Sequence, residues 1–240
     1  MGMPITVEIV DPSASESILE EVFNYFEWVE KKFSVYKDDS EINKINKGEI
    51  KPDDYSPEMR EVFKLSEETK KLTKGFFDIE YQAGQYDPSG LVKGWAIFKA
   101  SQILKNKGFE NFYVEAGGDA QVYGKNNQGQ DWQVGIRNPF KQEEIIKVVA
   151  LNNLGMATSG TYARGQHIYN PHQKENPILE IVSLTVIGSN VYEADRFATA
   201  AFAMGKEGIK FIEKLPNLEG YMVDKDGMAT MTSNFNNHVV

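Results

Sequence analysis

The chain is 240 residues long and carries 26 basic against 35 acidic residues, for a formal net charge of −9, with no cysteine. The acidic balance argues against a nucleic-acid footprint, which needs a basic face, and the missing thiols exclude disulfides, thiolate catalysis and cysteine-ligated zinc. No run of about 18 apolar residues is present, so the sequence offers no membrane-spanning helix.

Residues 1–10 (MGMPITVEIV) read as an opening strand. It begins by residue 3, which leaves no room for a signal peptide, so the chain as given is expected to be cytoplasmic or already trimmed of a leader. Ser13 and Glu16 have capping-box spacing. Ile18, Val22, Phe26, Val29 and Phe33 then form one helical stripe that faces a core. Asp39 or Ser40 caps a short helix that ends near Gly48. Ser56-Pro57 opens another helix, with proline at its first position, and Gly75 closes it. Residues 77–79 are strand-like and those after them loop-like. A further helix is expected over residues 91–107, ended by Gly108.

The second half is mostly strand. FYVEA, AQVYG and WQVGIRN are separated by turn compositions at Gly117-Gly118-Asp119 and Asn126-Asn127-Gln128-Gly129, and IIKVVAL, MATS, QHIYN and VSLTVI continue the pattern. A helix of small and apolar residues is expected over 193–204 and a second over 206–215. A closing hairpin pairs GYMV with MATMTSNF across residues 224–227. Strands and helices cluster rather than alternate, which predicts an α+β fold with a largely antiparallel sheet. No linker-like segment divides the chain, so one domain over residues 1–240 is expected.

Four stretches carry candidate chemistry. Asp195 and Thr199 lie four apart at the start of a helix and share a face. They are two hard oxygen donors of the kind Mg²⁺ takes, with water or substrate phosphate filling its other positions. Alone, they are as well read as an acid stabilising the first turn against the helix dipole and a buried hydroxyl. DPSGLVKG (residues 87–94) runs from a loop into a helix start, where glycines and free N–H groups can meet a phosphate and Lys93 adds charge; an ordinary capping loop has the same composition. EAGGDAQVYG (115–124) reads as a strand turn, and its paired glycines with an aspartate, Asp119, also suit close backbone approach to a ligand. ATSGTYARGQHIYNPH (157–172) gathers Thr158, Ser159, Thr161, Arg164 and His167, enough for a phosphate clamp and a proton shuttle, or for a polar hairpin. The stretch GxSxG of a nucleophile elbow and the GxGxxG of a dinucleotide fold are both absent.

Taken jointly, MGMPITVEI, FSVYKDDSEINKIN, GFFDI, DPSGLVKGWA, EAGGDAQVYG, WQVGIRNP, ATSGTYARGQHIYNPH and SLTVIGSNVYEADRFATAAFAMG resemble, in this order, the ApbE-type flavin transferase family, over residues 1–205. The resemblance implies an FAD:protein FMN transferase: Mg²⁺-dependent transfer of FMN from FAD to a threonine hydroxyl of an acceptor flavoprotein, with release of AMP. It implies Asp195, Thr199 and the Gly90 carbonyl as the metal site. FAD would be contacted by Met1, Tyr36, Phe76, Phe77, Asp78, Asp87, Lys93 and Ile168. His167 and Asp195 would be catalytic, His167 by moving a proton. The sequence departs from the family pattern in a short segment between GFFDI and DPSGLVKG, in Asn170 where aspartate is common, in His172-Gln173 after the proline, and in Ala198 where some members place a further acidic metal ligand. These departures keep two alternatives in view, an FAD pyrophosphatase yielding FMN and AMP, and a non-catalytic FAD-binding protein.

Overall fold

The computed structural model describes residues 2–161 and 168–240. Strand β1 (Ile5–Ile9) leads into α1 (Glu16–Phe33), which buries the stripe Ile18, Val22, Phe26, Val29 and Phe33 expected from its spacing. Its cap position is Ser15, not Ser13, and the Ser15 hydroxyl bonds the Ser17 hydroxyl instead of a backbone N–H. Helix α2 (Glu41–Asn46) is capped by Ser40, and α3 (Pro57–Leu72) by Ser56, each hydroxyl accepting from the N–H three residues on. The stretch after α3 differs from expectation. Residues 77–79 are not a strand, because the Phe77 N–H is taken by the Thr73 hydroxyl and the Asp78 carboxylate accepts the Glu80 N–H in a local turn. The strands come later, as the hairpin β2 (Glu80–Gln82) and β3 (Gln85–Tyr86).

Helix α4 (Ser89–Asn106) starts two residues earlier than expected, with Asp87 accepting the Ser89 N–H, so Gly90 and Lys93 already lie within helical turns. Then follow β4 (Phe112–Ala116), β5 (Asp119–Tyr123), β6 (Trp132–Asn138), β7 (Lys141–Leu151), β8 (Gly155–Gly160) and β9 (Ile181–Gly188). Residues 166 and 167 of the expected QHIYN strand lie outside the described residues. Ile168–Asn170 are not strand, and Asn170 accepts the His172 N–H in a turn at Pro171. Helix α5 (Val191–Ala203) begins at Val191, not 193, because Asn190 supplies the cap to the Glu193 N–H. The single helix expected over 206–215 is a 3₁₀ turn (Gly205–Glu207) followed by the short α6 (Gly208–Ile212). The closing hairpin, β10 (Leu218–Asp224) with β11 (Ala229–Met231), is as expected.

Among the described residues, seven strands form one sheet in the order β1-β4-β5-β8-β9-β10-β11, antiparallel at each pairing. β9 and β10 are buried on both faces. Leu184, Val186, Leu218 and Met222 pack under α5 and α6, while Ile187, Tyr221 and Val223 pack on the other side with Trp132, Val134 and Ile136 of the β6–β7 hairpin. That period of two explains why these strands read as nearly unbroken apolar runs. The helices α1 to α4 cover the β1–β4 end through a third cluster that contains Leu91, Trp95 and Phe112. No described helix is long and apolar enough to cross a membrane.

Candidate active site

Helices α4 and α5 approach each other more closely than ordinary side chains permit. A Cβ added to Gly94 would stand 2.5 Å from the Asp195 Cβ, and one added to Gly90 would stand 3.0 Å from the Thr199 Cγ2. Two glycines one turn apart thus form a groove on α4 that receives Asp195 and Thr199, one turn apart on α5. The groove also brings two backbone groups of α4 within reach of α5 side chains. The Gly94 N–H donates to Asp195 Oδ2 at 2.7 Å, and the Gly90 carbonyl accepts from Thr199 Oγ1 at 3.2 Å. Both groups thus have side-chain partners on α5.

The start of α5 is fixed from the sheet. The Val191 N–H donates to the buried Gln121 Oε1 of β5 at 2.8 Å, beside the Asn190 cap. With the helix starting at Val191, the acid of the first turn is Glu193, so the dipole account of Asp195 does not hold. Asp195 lies a turn deeper and is only 2% exposed. Burial raises its carboxyl above the ordinary carboxylate range, as does the neighbouring Asp119 carboxylate, while the Lys93 ammonium opposes the shift.

These groups form the floor of a cleft of about 380 Å³. Asp119, the first residue of β5, is 1% exposed. It accepts the Thr158 N–H at 3.0 Å and forms an ion pair with Lys93 at 2.6 Å, while the same ammonium stands 3.7 Å from Asp195. Ser159 of β8 reaches the Thr199 hydroxyl at 3.4 Å. The turn between β4 and β5 lines one side. Gly117 and Gly118 take φ of +60° and +96°, and a side chain on Gly118 would meet open space. Opposite, Gly135 and Arg137 lie on one face of β6, turned to the cleft, while Val134 and Ile136 face the core.

The far wall is built by residues 76–81 and 168–171. The Tyr169 hydroxyl donates to the Asp78 carbonyl at 3.3 Å, Lys174 donates to the Tyr81 carbonyl at 2.7 Å, and His172 Nε2 meets the Lys74 carbonyl at 3.0 Å. The His172 ring also packs edge-on against Phe76, with centroids 4.6 Å apart. The departure at His172 therefore has a structural use, tying one wall of the cleft to the end of α3.

Of the residues singled out in the sequence, the structure brings Phe76, Phe77, Asp78, Asp87, Gly90, Lys93, Thr158, Ser159, Ile168, Asp195 and Thr199 to this cleft. Phe77 is nearly buried in the core, and Asp78 is paired with Lys70 at 2.8 Å. Tyr36 is 95% exposed and is not among the cleft-lining residues. Met1, Arg164 and His167 lie outside the described residues. Arg137 was not singled out, and Asp119 was noted only as the aspartate beside the paired glycines, with no role of its own. Asp119 was visible as an acid on the heels of two turn glycines at a strand start, and Arg137 as the residue sharing a strand face with Gly135.

The donor set suits a hard divalent cation. A carboxylate, a hydroxyl and a carbonyl converge at the α4–α5 groove, with Ser159 adjacent, and Mg²⁺ takes few protein oxygens and leaves positions for water and phosphate. Ala198 is fully buried in the core under α5, so no second carboxylate is supplied from that position. Among the described residues, no group of three or more His, Cys, Asp and Glu side chains could form a metal cage.

Known proteins resemble this chain in sequence and in fold. The sequence profile of the ApbE family matches residues 1–86 and 81–222. The FAD:protein FMN transferase of Haemophilus influenzae is 29% identical over 159 residues, 61% of this chain and 46% of that protein. The enzyme of the same name from Escherichia coli K12 is 31% identical over 156 residues, 61% of this chain and 44% of its own length. In sequence the chain thus matches under half the length of either relative. In structure, the flavin transferase ApbE from Vibrio cholerae superposes with a TM-score of 0.85 at 22% identity, over 99% of this chain and 96% of that one, which shows a common fold. With the family profile matched over most of its length and the fold shared, the chain belongs to the ApbE family.

Proposed function

We propose that this chain, acting as one domain over residues 1–240, transfers FMN from FAD to a threonine hydroxyl of an acceptor protein, with Mg²⁺ as cofactor. The observation that carries the reading is the convergence of the Gly90 carbonyl, Asp195 and Thr199 at the base of an open, glycine-lined cleft. The names of the Haemophilus and Escherichia relatives support the reaction class. Mg²⁺, held by Asp195, Thr199 and the Gly90 carbonyl, would neutralise the charge of the pyrophosphate.

The residues of the chain do the rest by placement. Gly117 and Gly118 let phosphate oxygens approach the backbone, and Lys93 and Arg137 bring positive charge to the cleft of an acidic protein. Phe76, Tyr81 and Tyr169 line the far wall and present aromatic surface to a flat ring. In the reaction the threonine oxygen bonds to the FMN-side phosphorus, and the bond from that phosphorus to the oxygen bridging to AMP breaks. The hydroxyl proton leaves, and AMP departs with the bridging oxygen. His167 is proposed, from the family resemblance, as the group that takes the proton. Such a transfer is governed by positioning and electrostatics, which is what a rigid floor of packed helices supplies.

The test is incubation with FAD, Mg²⁺ and a threonine-bearing flavoprotein domain, following AMP by chromatography and the acceptor by intact mass. An acceptor heavier by one FMN, lost when chelator is added, supports the proposal. AMP formed at the same rate with no acceptor adduct would replace transfer by FAD hydrolysis, and intact FAD in every arm would leave only a flavin-binding protein.

A further inference from the structure

Two hairpins border the cleft, β2–β3 through Tyr81 and β6–β7 through Gly135 and Arg137. They differ in what their outer edges carry. On β2 the Lys174 ammonium takes the carbonyls of Glu80 and Tyr81, and on β3 the Asn46 side chain holds both the N–H and the carbonyl of Tyr86. On β7 the outer edge is met by Val239, which bridges Val149, and by the Val240 N–H, which donates to the Val148 carbonyl at 3.2 Å. Val148 thus turns its backbone away from β6. Its ladder partner is Gly135, so the Gly135 N–H and carbonyl point away from β7, and the same parity holds for Gln133 opposite Ala150. Among the described residues, no strand pairs with that edge of β6. Gln133 and Gly135 are both exposed, and Gly135 lines the cleft. A Cβ on Gly135 would stand 2.8 Å from the Ile145 Cδ1. Room for that side chain accounts for the glycine, but not for an edge left open.

We propose that this edge receives the acceptor: the segment carrying the target threonine adds beside residues 132–136 of β6 as a further strand. The inference rests on the proposed transfer to a protein threonine and names how that protein reaches the site. Unpaired strand groups are a template for another backbone, and folded chains ordinarily cover or block them. This chain does so at β2, β3 and β7. On β6 the ladder is regular from Trp132 to Ile136, and that stretch holds no proline and no charged side chain. An extended polypeptide is the occupant that matches, because its own N–H and carbonyl groups recur at the strand repeat. The edge and the floor bound one cleft, and side chains of an added strand alternate between faces. Every second residue is therefore directed to the cleft that holds Asp195 and Thr199, the threonine among them. Ile145, 49% exposed beside Gly135, offers apolar contact to a neighbour of that threonine.

The test uses the full chain with FAD and Mg²⁺. The acceptor is a flavoprotein domain that takes up FMN in the transfer assay, with its target threonine replaced by valine so that the complex persists. Amide hydrogen exchange is read residue by residue, with and without that domain at a saturating concentration. The Gln133 and Gly135 amides should slow by about tenfold or more when the domain is added. On the acceptor, strand addition slows alternate amides around the replaced threonine more than those between them. Uniform slowing there, or unchanged Gln133 and Gly135 amides, overturns the proposal. Gln133→Pro gives a second reading, since it removes one outward N–H and no bond to β7. With thermal unfolding as the check on folding, KM for the unaltered acceptor should rise about fivefold or more with kcat little changed. An unchanged KM in a folded variant contradicts the proposal; if the variant does not fold, exchange in the wild-type chain decides alone. A chain that transfers FMN to no acceptor overturns the proposed function, and this inference with it. Transfer that proceeds while the Gln133 and Gly135 amides stay fast overturns only the strand addition.

Discussion

The floor and the far wall of the cleft are held together by different physics. The floor is two helices pressed into contact through Gly90 and Gly94, with its charged groups buried and its backbone N–H and carbonyl drawn into side-chain bonds. The wall is a set of segments joined by hydrogen bonds from Tyr169, His172 and Lys174 to backbone carbonyls, the last two of them exposed. Close packing tolerates little displacement and suits groups that must sit at fixed distances from a reacting phosphorus. Solvent-exposed hydrogen bonds are individually weak and suit a surface that adapts to the shape of what it binds. On the proposed function, the floor sets the chemistry and the wall the fit.

Substitutions on the two sides should separate these roles. The largest effect is expected from Gly94→Ala, whose methyl has no room against Asp195. Forcing the helices apart should cost ~1–3 kcal/mol of stability and abolish transfer, read by chemical denaturation and by acceptor mass. Asp195→Asn comes next. It removes a buried carboxylate while leaving the Lys93–Asp119 pair, so the thermal midpoint should hold or rise while the rate of AMP release falls by roughly two to three orders of magnitude. Arg137→Gln, on the exposed face of β6, should leave stability unchanged and raise KM for FAD by about five- to tenfold. The smallest effect is expected from His172→Ala in the wall: about 1 kcal/mol or less of stability, a KM change of two- to threefold by rough estimate, and kcat unaltered. A His172→Ala effect on kcat as large as that of Asp195→Asn would erase the division between floor and wall.

What the sequence made legible follows the same division. Periodicity exposes the α1 stripe and the strands under α5, because burial of one face or both leaves a direct mark on composition. Asp195 and Thr199 could be paired from their spacing alone, since a helix turn is a local fact. The part played by Gly94 could not, because it depends on what packs against α4 from about a hundred residues away. The role of Asp119 was hidden for a related reason: an acid after two turn glycines is ordinary until Lys93 and Thr158 arrive from other elements. Local side-chain bonds defeated the strand expected over residues 77–79, where Thr73 and Asp78 claim the backbone donors a ladder would need. The wall was the least legible region, because its ties run from side chains to backbone carbonyls and leave no pattern in sequence.

The most direct test of the account is a crystal of this chain grown with FAD and Mn²⁺ in place of Mg²⁺, with diffraction recorded at the manganese absorption edge. The account predicts an anomalous peak within coordination distance of the Gly90 carbonyl, Asp195 and Thr199, with flavin pyrophosphate oxygens completing its shell. A manganese peak elsewhere in the cleft, or FAD bound with no metal at the α4–α5 groove, would contradict it.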